Sequence, residues 1–271
     1  MVVVPQATGV MFSYIKEWRR KRIIKQSSIT SAQWEAAYAR LPLLDRLSTQ
    51  ERRDLQDLAI LLLHEKSFSA AHGLILTQPM VLMIALQACL PILHLGLDWY
   101  AGWSEIIVYP AGFAPERTLM DEYGVAHRSQ HALSGEAWHR GPIVLSWRDA
   151  EHAGVVDGDN VVIHEFAHKL DMQNGTANGF PPLHRSMDAA KWASAFSAAF
   201  SDFQGRVNAG MPTSINAYAA TAPAEFFAVV SEAFFEIPGV VMATYPDVYE
   251  NLRQFYRQDL LAGQGQRRSG P

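Results

Sequence analysis

VVIHEFAHKLDMQNG, residues 161–175, contains two histidines four positions apart, with a glutamate directly after the first. On a helix, residues at this spacing differ by about 40° around the axis, so the side chains of His164 and His168 project from one face. Two imidazoles on one face can bind a single zinc ion, and Glu165 then lies beside it as a candidate general base. The apolar neighbours indicate a largely buried helix, in which unpaired polar groups are costly. We therefore expect a catalytic metal site on this helix.

A third protein ligand is needed, because a catalytic zinc usually keeps its fourth position for water. Asn174 stands where the metzincin pattern would place a histidine, six residues after His168. Asp171 is close enough to be considered, although on the same helix it is better suited to orienting an imidazole. The choice of the third ligand stays open between this helix and one further along the chain.

A second helix, expected to begin after Thr221 at Pro223, carries three glutamates on one narrow stripe. Glu225, Glu232 and Glu236 form this stripe, and aromatic and aliphatic residues cover most of the remaining surface. A stripe of this kind can be the solvent face of a helix, and that is our expectation for Glu236. Glu225, in the first turn, would face the metal if the two helices pack together.

The rest of the chain predicts an α+β fold that is mainly helical, with a small mixed β-sheet beside the histidine helix. Helical spacing and a capping box at Ser48 indicate that residues 28–97 are mostly helical. Short strands are expected within 104–110, 131–140 and 142–147. We predict a basic N-terminal segment (1–27), one domain (28–262) with a helical part (28–97) and a catalytic part (98–262), and a disordered tail (263–271).

Composition excludes several classes of protein. The chain has 271 residues, a hydrophobic fraction of 49% and a formal net charge of −4, which suit a globular protein. This overall charge gives no reason to expect nucleic acid or an anionic membrane as the main partner, although local patches can still matter. Residues 67–97 lack charged side chains, but Pro79 and Pro91 divide this stretch into a core-length helix, so no membrane span is expected. A single cysteine, Cys89, fits a cytoplasmic location.

Longer motifs in the chain resemble a known family. HEFAHKLDMQNG (164–175), SGEAWHRGPIVLSW (134–147), NAYAATAPAEFFAVVSEAFFEIP (216–238) and FYRQDL (255–260) are similar to the Mlc titration factor A family of bacterial zinc metallopeptidases. The resemblance implies a zincin-like fold of the gluzincin type, with a catalytic core like that of anthrax lethal factor. It also implies that His164, His168 and Glu225 bind Zn²⁺, that Glu165 is the base, and that Tyr218 lies near the reacting carbonyl.

These features together predict a zinc-dependent metallopeptidase that hydrolyses peptide bonds in a peptide or protein substrate, with a role in regulating a sugar-uptake repressor. The expected cleavage is aminopeptidase-like, and internal cleavage is the alternative. A tyrosine hydroxyl seven residues before a ligand could donate to an oxyanion, which supports the role of Tyr218. The segment SGEAWHRGP is expected to border the cleft, with His127, His131 and His139 as structural or rim residues. The alternative is a zinc-containing protein that sequesters a transcriptional repressor similar to Mlc without proteolysis.

A basic segment near the N-terminus remains outside this interpretation. Lys16–Lys25 is rich in lysine and arginine, and Phe12, Tyr14, Ile15 and Trp18 lie within or just before it. Such a run is usually a solvated helix face, but it could also contact a membrane surface or another polyanion.

Overall fold

The computed structural model describes residues 7–111, 117–120, 126–129, 135–137, 141–153 and 155–262. The helices in these ranges are α1 (Ala7–Lys25), α2 (Ser31–Tyr38), α3 (Thr49–Glu65), α4 (Gln78–Cys89), α5 (Trp147–His152), α6 (Val161–Asp171), α7 (Ala189–Asn208), α8 (Pro223–Glu236), α9 (Pro238–Thr244) and α10 (Pro246–Tyr256). The strands are β1 (Ser67–Ala70), β2 (Glu105–Tyr109), β3 (Arg117–Met120), β4 (Ala126–Ser129), β5 (Gly135–Ala137) and β6 (Ile143–Ser146).

Local sequence signals explain where several helices begin. Ser48 caps α3, since its hydroxyl accepts a hydrogen bond from the backbone of Glu51 while the Glu51 carboxylate accepts one from the backbone of Ser48. Proline stands in the first turn of both α4 and α8, where its missing N–H would have no partner in any case. The helices predicted around residues 34, 55, 85, 196 and 230 are therefore confirmed.

Within the described residues, the main sheet has four strands in the order β1-β2-β6-β5. The first three are parallel, and β5 runs antiparallel to β6. β5 ends the sheet beside α6, against which it packs. β3 and β4 form a separate antiparallel pair. The expected α+β fold, mainly helical with a small mixed sheet next to the histidine helix, is confirmed.

The packing of α6 against α8 lies at the centre of the molecule. α8 buries every residue from Phe226 to Glu236, and the buried part of α6 includes Ile163, Phe166 and Leu170. Aromatic residues of α7 and α10 cover the far side of α8 and bring Trp192 and Phe255 into the same core. This core fixes the two helices that carry the histidines and the three-glutamate stripe.

Some predictions fall outside the described residues. The tail 263–271, His131 and His139 lie there, and only the backbone is described for His127. The predicted domain bounds stay a prediction. Across the part of the chain that the structure describes, no helix combines the length and the apolar character needed to cross a bilayer.

Candidate metal centre

The two histidines lie on α6, whose N-terminus is capped by a side chain. Asn160 is the N-cap, and its Oδ1 accepts a hydrogen bond from the backbone of Ile163 at 3.0 Å. His168 is 7% exposed and Glu165 3%, so both side chains are buried. His164 and His168 thus lie on an α-helix, as their spacing in the sequence predicted.

Three potential ligand atoms meet between α6 and α8. The Nε2 atoms of His164 and His168 are 3.1 Å apart, and Oε2 of Glu225 lies 3.1 Å from the first and 3.3 Å from the second. All three atoms lie within 4.8 Å of one another. The two histidines come from one helix and the glutamate from another, so tertiary packing brings this group together.

The donor set fits a small divalent cation such as zinc. Two ligands bound to a tetrahedral zinc ion at about 2.1 Å are separated by about 3.4 Å, close to the distances found here. Two neutral imidazole nitrogens and a carboxylate oxygen are also the donor types that zinc accepts. The group formed by His164, His168 and Glu225 can therefore hold a metal ion.

The carboxylate of Glu232 orients the imidazole of His164 through the ring nitrogen that does not face the ligand group. Nδ1 of His164 lies 2.7 Å from Oε1 of Glu232, and the other oxygen of Glu232 accepts a hydrogen bond from the backbone N–H of Asn160. A proton held on Nδ1 by this carboxylate leaves Nε2 with its lone pair directed at the ligand group. Sequence reasoning assigned no role to Glu232, although its position seven residues after Glu225 places it on the same stripe.

The third glutamate of the stripe corrects a prediction. Glu236 was expected to face solvent, but it is only 4% exposed. Its carboxylate accepts hydrogen bonds from the backbone of Asp157 and Gly158 and from Nδ2 of Asn160. The stripe faces the loop before α6 as well as α6 itself, so all three glutamates are used inside the molecule.

The role of Asp171 also differs from the expected one. It does not orient an imidazole: its oxygens accept hydrogen bonds from the backbone of Asn178, Gly179 and Phe180, at 2.7–3.0 Å. Nδ1 of His168 is buried and has no hydrogen-bond partner among the described residues. Asp171 therefore fixes the loop that connects α6 to α7.

Burial and charge give the carboxylates of this centre different proton affinities. Burial raises the pKa of Glu165 to about 8, and the nearby carboxylates of Glu225 and Glu232 add to this effect. Burial alone would also raise the pKa of Glu225, but hydrogen bonds with His164 and His168 outweigh it and hold that pKa well below its usual range. In the structure, Oε2 of Glu165 is buried without a hydrogen-bond partner among the described residues.

Tyr218 lies at the opening of the centre. It belongs to the 3-10 helix Ala217–Ala220, which packs against α8, and it is 46% exposed. Its ring centroid is 6.2 Å from that of His164. The structure thus brings Tyr218 next to the histidine and glutamate group named from the sequence.

Comparison with known proteins agrees with this geometry. A family model described as glucose-regulated metallo-peptidase M90 matches residues 15–257. The Mlc titration factor A of Serratia proteamaculans (strain 568) is 41% identical over 236 residues, which cover 86% of this chain and 89% of that protein. The proteins of the same name from Yersinia pestis (strain Pestoides F) and Yersinia pseudotuberculosis serotype O:1b (strain IP 31758) are each 42% identical over 234 residues, covering 85% of this chain and 86% of theirs.

The family model spans nearly all of the described residues, including both helices of the metal centre. A metallopeptidase family implies a metal cofactor, and the group on α6 and α8 can hold one. The chain therefore belongs to the M90 family of glucose-regulated metallo-peptidases.

Proposed function

We propose that this chain is a zinc-dependent peptidase in which His164, His168 and Glu225 hold the ion. The observation that carries the proposal is the meeting of three ligand atoms from two helices, within 4.8 Å, at separations close to those of a tetrahedral zinc site. Glu232 supports it, because a carboxylate on Nδ1 fixes the tautomer that binds metal.

Zinc bound there would polarise a peptide carbonyl and lower the pKa of water, the two contributions that hydrolysis at neutral pH needs. Glu165 follows His164 directly on α6, and we assign it the role of general base, which takes the proton from the attacking water and passes it to the leaving amine. Tyr218, at the opening, is assigned as the hydrogen-bond donor to the oxyanion.

We propose a peptide or protein as the substrate. β5 ends the sheet beside α6, and an extended peptide could add to it as a further strand. We propose aminopeptidase-like cleavage, with internal cleavage as the alternative. Hydrolysis of chromogenic amino-acid amides, compared with that of peptides blocked at the amino end, would separate aminopeptidase-like from internal cleavage. An aminopeptidase loses activity on the blocked substrates.

The substitution Glu165→Gln tests the catalytic assignment. We expect the variant to keep its zinc content and to lose at least about 100-fold in kcat, since general acid–base catalysis contributes this much or more. Zinc measured by atomic absorption and hydrolysis measured on the same samples separate the two properties. An active variant that retains zinc would remove Glu165 as the base.

The third ligand is tested separately. Glu225→Ala should lose zinc, whereas Asp171→Asn should keep it, because the Asp171 carboxylate is occupied by backbone N–H groups of the 178–180 loop. The opposite result would move the third ligand to Asp171.

A binding function is the second candidate, favoured by the printed name of the relatives, Mlc titration factor A. In this alternative the chain sequesters a transcriptional repressor similar to Mlc in the cytoplasm, and zinc is structural. Pull-down of such a repressor with the zinc-loaded and the zinc-free chain decides between the two. Undiminished binding without zinc, together with no hydrolysis of any peptide, would favour the binder.

A further inference from the structure

α1 carries apolar side chains on two opposite faces, and only one of them is covered by the protein. Ile23 and Ile24 pack against the hydrophobic core. Tyr14, Ile15 and Trp18 project from the other side and are 73%, 46% and 54% exposed. The inner pair packs the helix against the protein, whereas the three outer residues keep about half or more of their surface exposed to solvent.

The cations of α1 divide in the same way. On the inner side, Lys16 and Arg20 both pair with Asp98, at 2.6 and 2.5 Å. Four further cations lie on the outer side, and none of them forms an ion pair among the described residues: Arg19, Lys21, Arg22 and Lys25. The ion pairs to Asp98 attach the helix and leave the outer charges available.

At 100° per residue, the four outer cations and the three outer apolar residues fall within an arc of about 160°. We call this arc the outer face of α1. It contains no acidic residue, since Glu17 lies about 40° beyond its edge, and the whole chain has a formal net charge of −4. Positive charge is therefore concentrated on this one face of a protein that is otherwise acidic.

We propose that the outer face of α1 binds the surface of an anionic phospholipid bilayer. Lysine and arginine attract anionic headgroups, and tyrosine and tryptophan prefer the boundary between headgroups and acyl chains. Ile15 adds an aliphatic side chain, whose transfer from water into the bilayer is favourable. The helix would lie in the plane of the interface, with the rest of the protein on the aqueous side.

Two other occupants fit the outer face less well. A second copy of the chain would bring two sets of four cations together, and like charges repel. A single-stranded nucleic acid stacks its bases on aromatic rings, and one face of the Trp18 ring is already covered by the guanidinium of Arg22, 5.7 Å from the ring centroid. A bilayer uses the cations and the apolar groups at once.

Sedimentation of the full chain with vesicles tests the proposal. We expect binding to phosphatidylcholine vesicles that contain phosphatidylglycerol, little binding to phosphatidylcholine alone, and a decline as salt is added. The triple variant Arg19→Gln/Lys21→Gln/Arg22→Gln should bind at least about tenfold more weakly. Trp18→Ser should bind several-fold more weakly, which separates the apolar contribution from the charge.

Ile75→Ser is the matched control, because Ile75 is 82% exposed but lies far from α1 in the chain, before α4. It should bind vesicles like the unmodified chain, and equal thermal unfolding of all variants would show that they are folded. Absence of binding to the anionic vesicles at low salt would overturn the proposal. So would unchanged binding by the triple variant, or tighter binding to a single-stranded oligonucleotide at the same salt.

Discussion

Glu232 is the residue whose substitution best separates metal binding from folding. In Glu232→Gln the amide oxygen can still accept from Nδ1 of His164, but the amide nitrogen then faces the backbone N–H of Asn160, a donor against a donor. We expect the imidazole to lose its fixed orientation and the affinity for zinc to fall about 10- to 100-fold. Competition with a chelator of known zinc affinity measures this.

Glu236→Gln is the matched control for that experiment. It changes a glutamate one turn further along α8, which contacts the side chain of Asn160 but not an imidazole. Its zinc affinity should stay within about twofold of the unmodified chain, since the ligands and Glu232 are untouched. Equal losses in the two variants would assign the effect to packing rather than to His164.

Glu236 also predicts how stability depends on pH. Burial raises its pKa from 4.5 to about 7, against the hydrogen bonds from Asn160 and Gly158. Between these values the folded chain holds a proton that the unfolded chain has lost, so the stabilisation present below pH 4.5 disappears as pH rises through about 7. The amide in Glu236→Gln cannot titrate, so this contribution to its free energy of unfolding does not change with pH. Relative to the unmodified chain, the free energy of unfolding of the variant should therefore rise by up to about 3 kcal/mol between pH 5 and 8.

Urea unfolding of the two metal-free proteins across this range measures the difference in their free energies of unfolding. The other titrating groups are common to both and cancel. A difference that stays constant with pH would contradict the assignment of this proton to Glu236.

Sequence spacing predicted the glutamate stripe but not what covers it. Helical periodicity shows that Glu225, Glu232 and Glu236 share a face. The sequence does not show whether a carboxylate on that face is exposed to solvent or buried and hydrogen-bonded to amide groups. The histidine pair could be predicted from α6 alone, whereas the meeting with Glu225 depends on how α6 packs against α8. The role of Glu232 requires coordinates, because it depends on which nitrogen of His164 faces α8.

At the scale of elements, the loop after α6 positions the start of α8. Gly179 has φ +79°, and a Cβ added there would lie 2.6 Å from the carbonyl oxygen of Pro223, two residues before Glu225. We expect Gly179→Ala to displace this contact and to lower the free energy of unfolding by about 2–4 kcal/mol. Chemical denaturation gives the loss, and zinc affinity reports whether Glu225 has moved.

Gly210→Ala is the comparison, because Gly210 also has a positive φ, +66°, but open space around it. It should cost about 1 kcal/mol, the penalty of the left-handed backbone alone. A loss for Gly179→Ala no greater than this would show that the contact with Pro223 relaxes freely.

The elements themselves were predictable to different degrees. Capping boxes and proline in the first turn mark α3 and α8 in the sequence, and both helices begin as those signals indicate. β1 was missed inside a region expected to be helical, because SFSA is only four residues long and contains a single large apolar residue, too short a signal to indicate a strand. Its strand conformation comes from pairing with β2, a tertiary interaction that no local pattern records.

At the scale of the whole molecule, removal of metal should weaken the fold without abolishing it. The packing of α6 on α8 rests on a continuous apolar core that includes Phe166, Phe227 and Trp192. The helices should therefore stay together when the metal is removed. A ligand present at about 100 times its Kd adds about 2.7 kcal/mol to the free energy of unfolding.

We therefore expect chelation to lower the Tm by on the order of 5–10 °C while leaving the far-ultraviolet circular dichroism spectrum unchanged. Glu225→Ala should show little further loss on chelation, because one of the three ligand atoms is already missing. Thermal unfolding of both proteins, with zinc and with chelator, provides the comparison. A collapse of helical content on chelation would mean that the metal holds α6 and α8 together, whereas an equal Tm shift in Glu225→Ala would place the stabilising ion elsewhere in the chain.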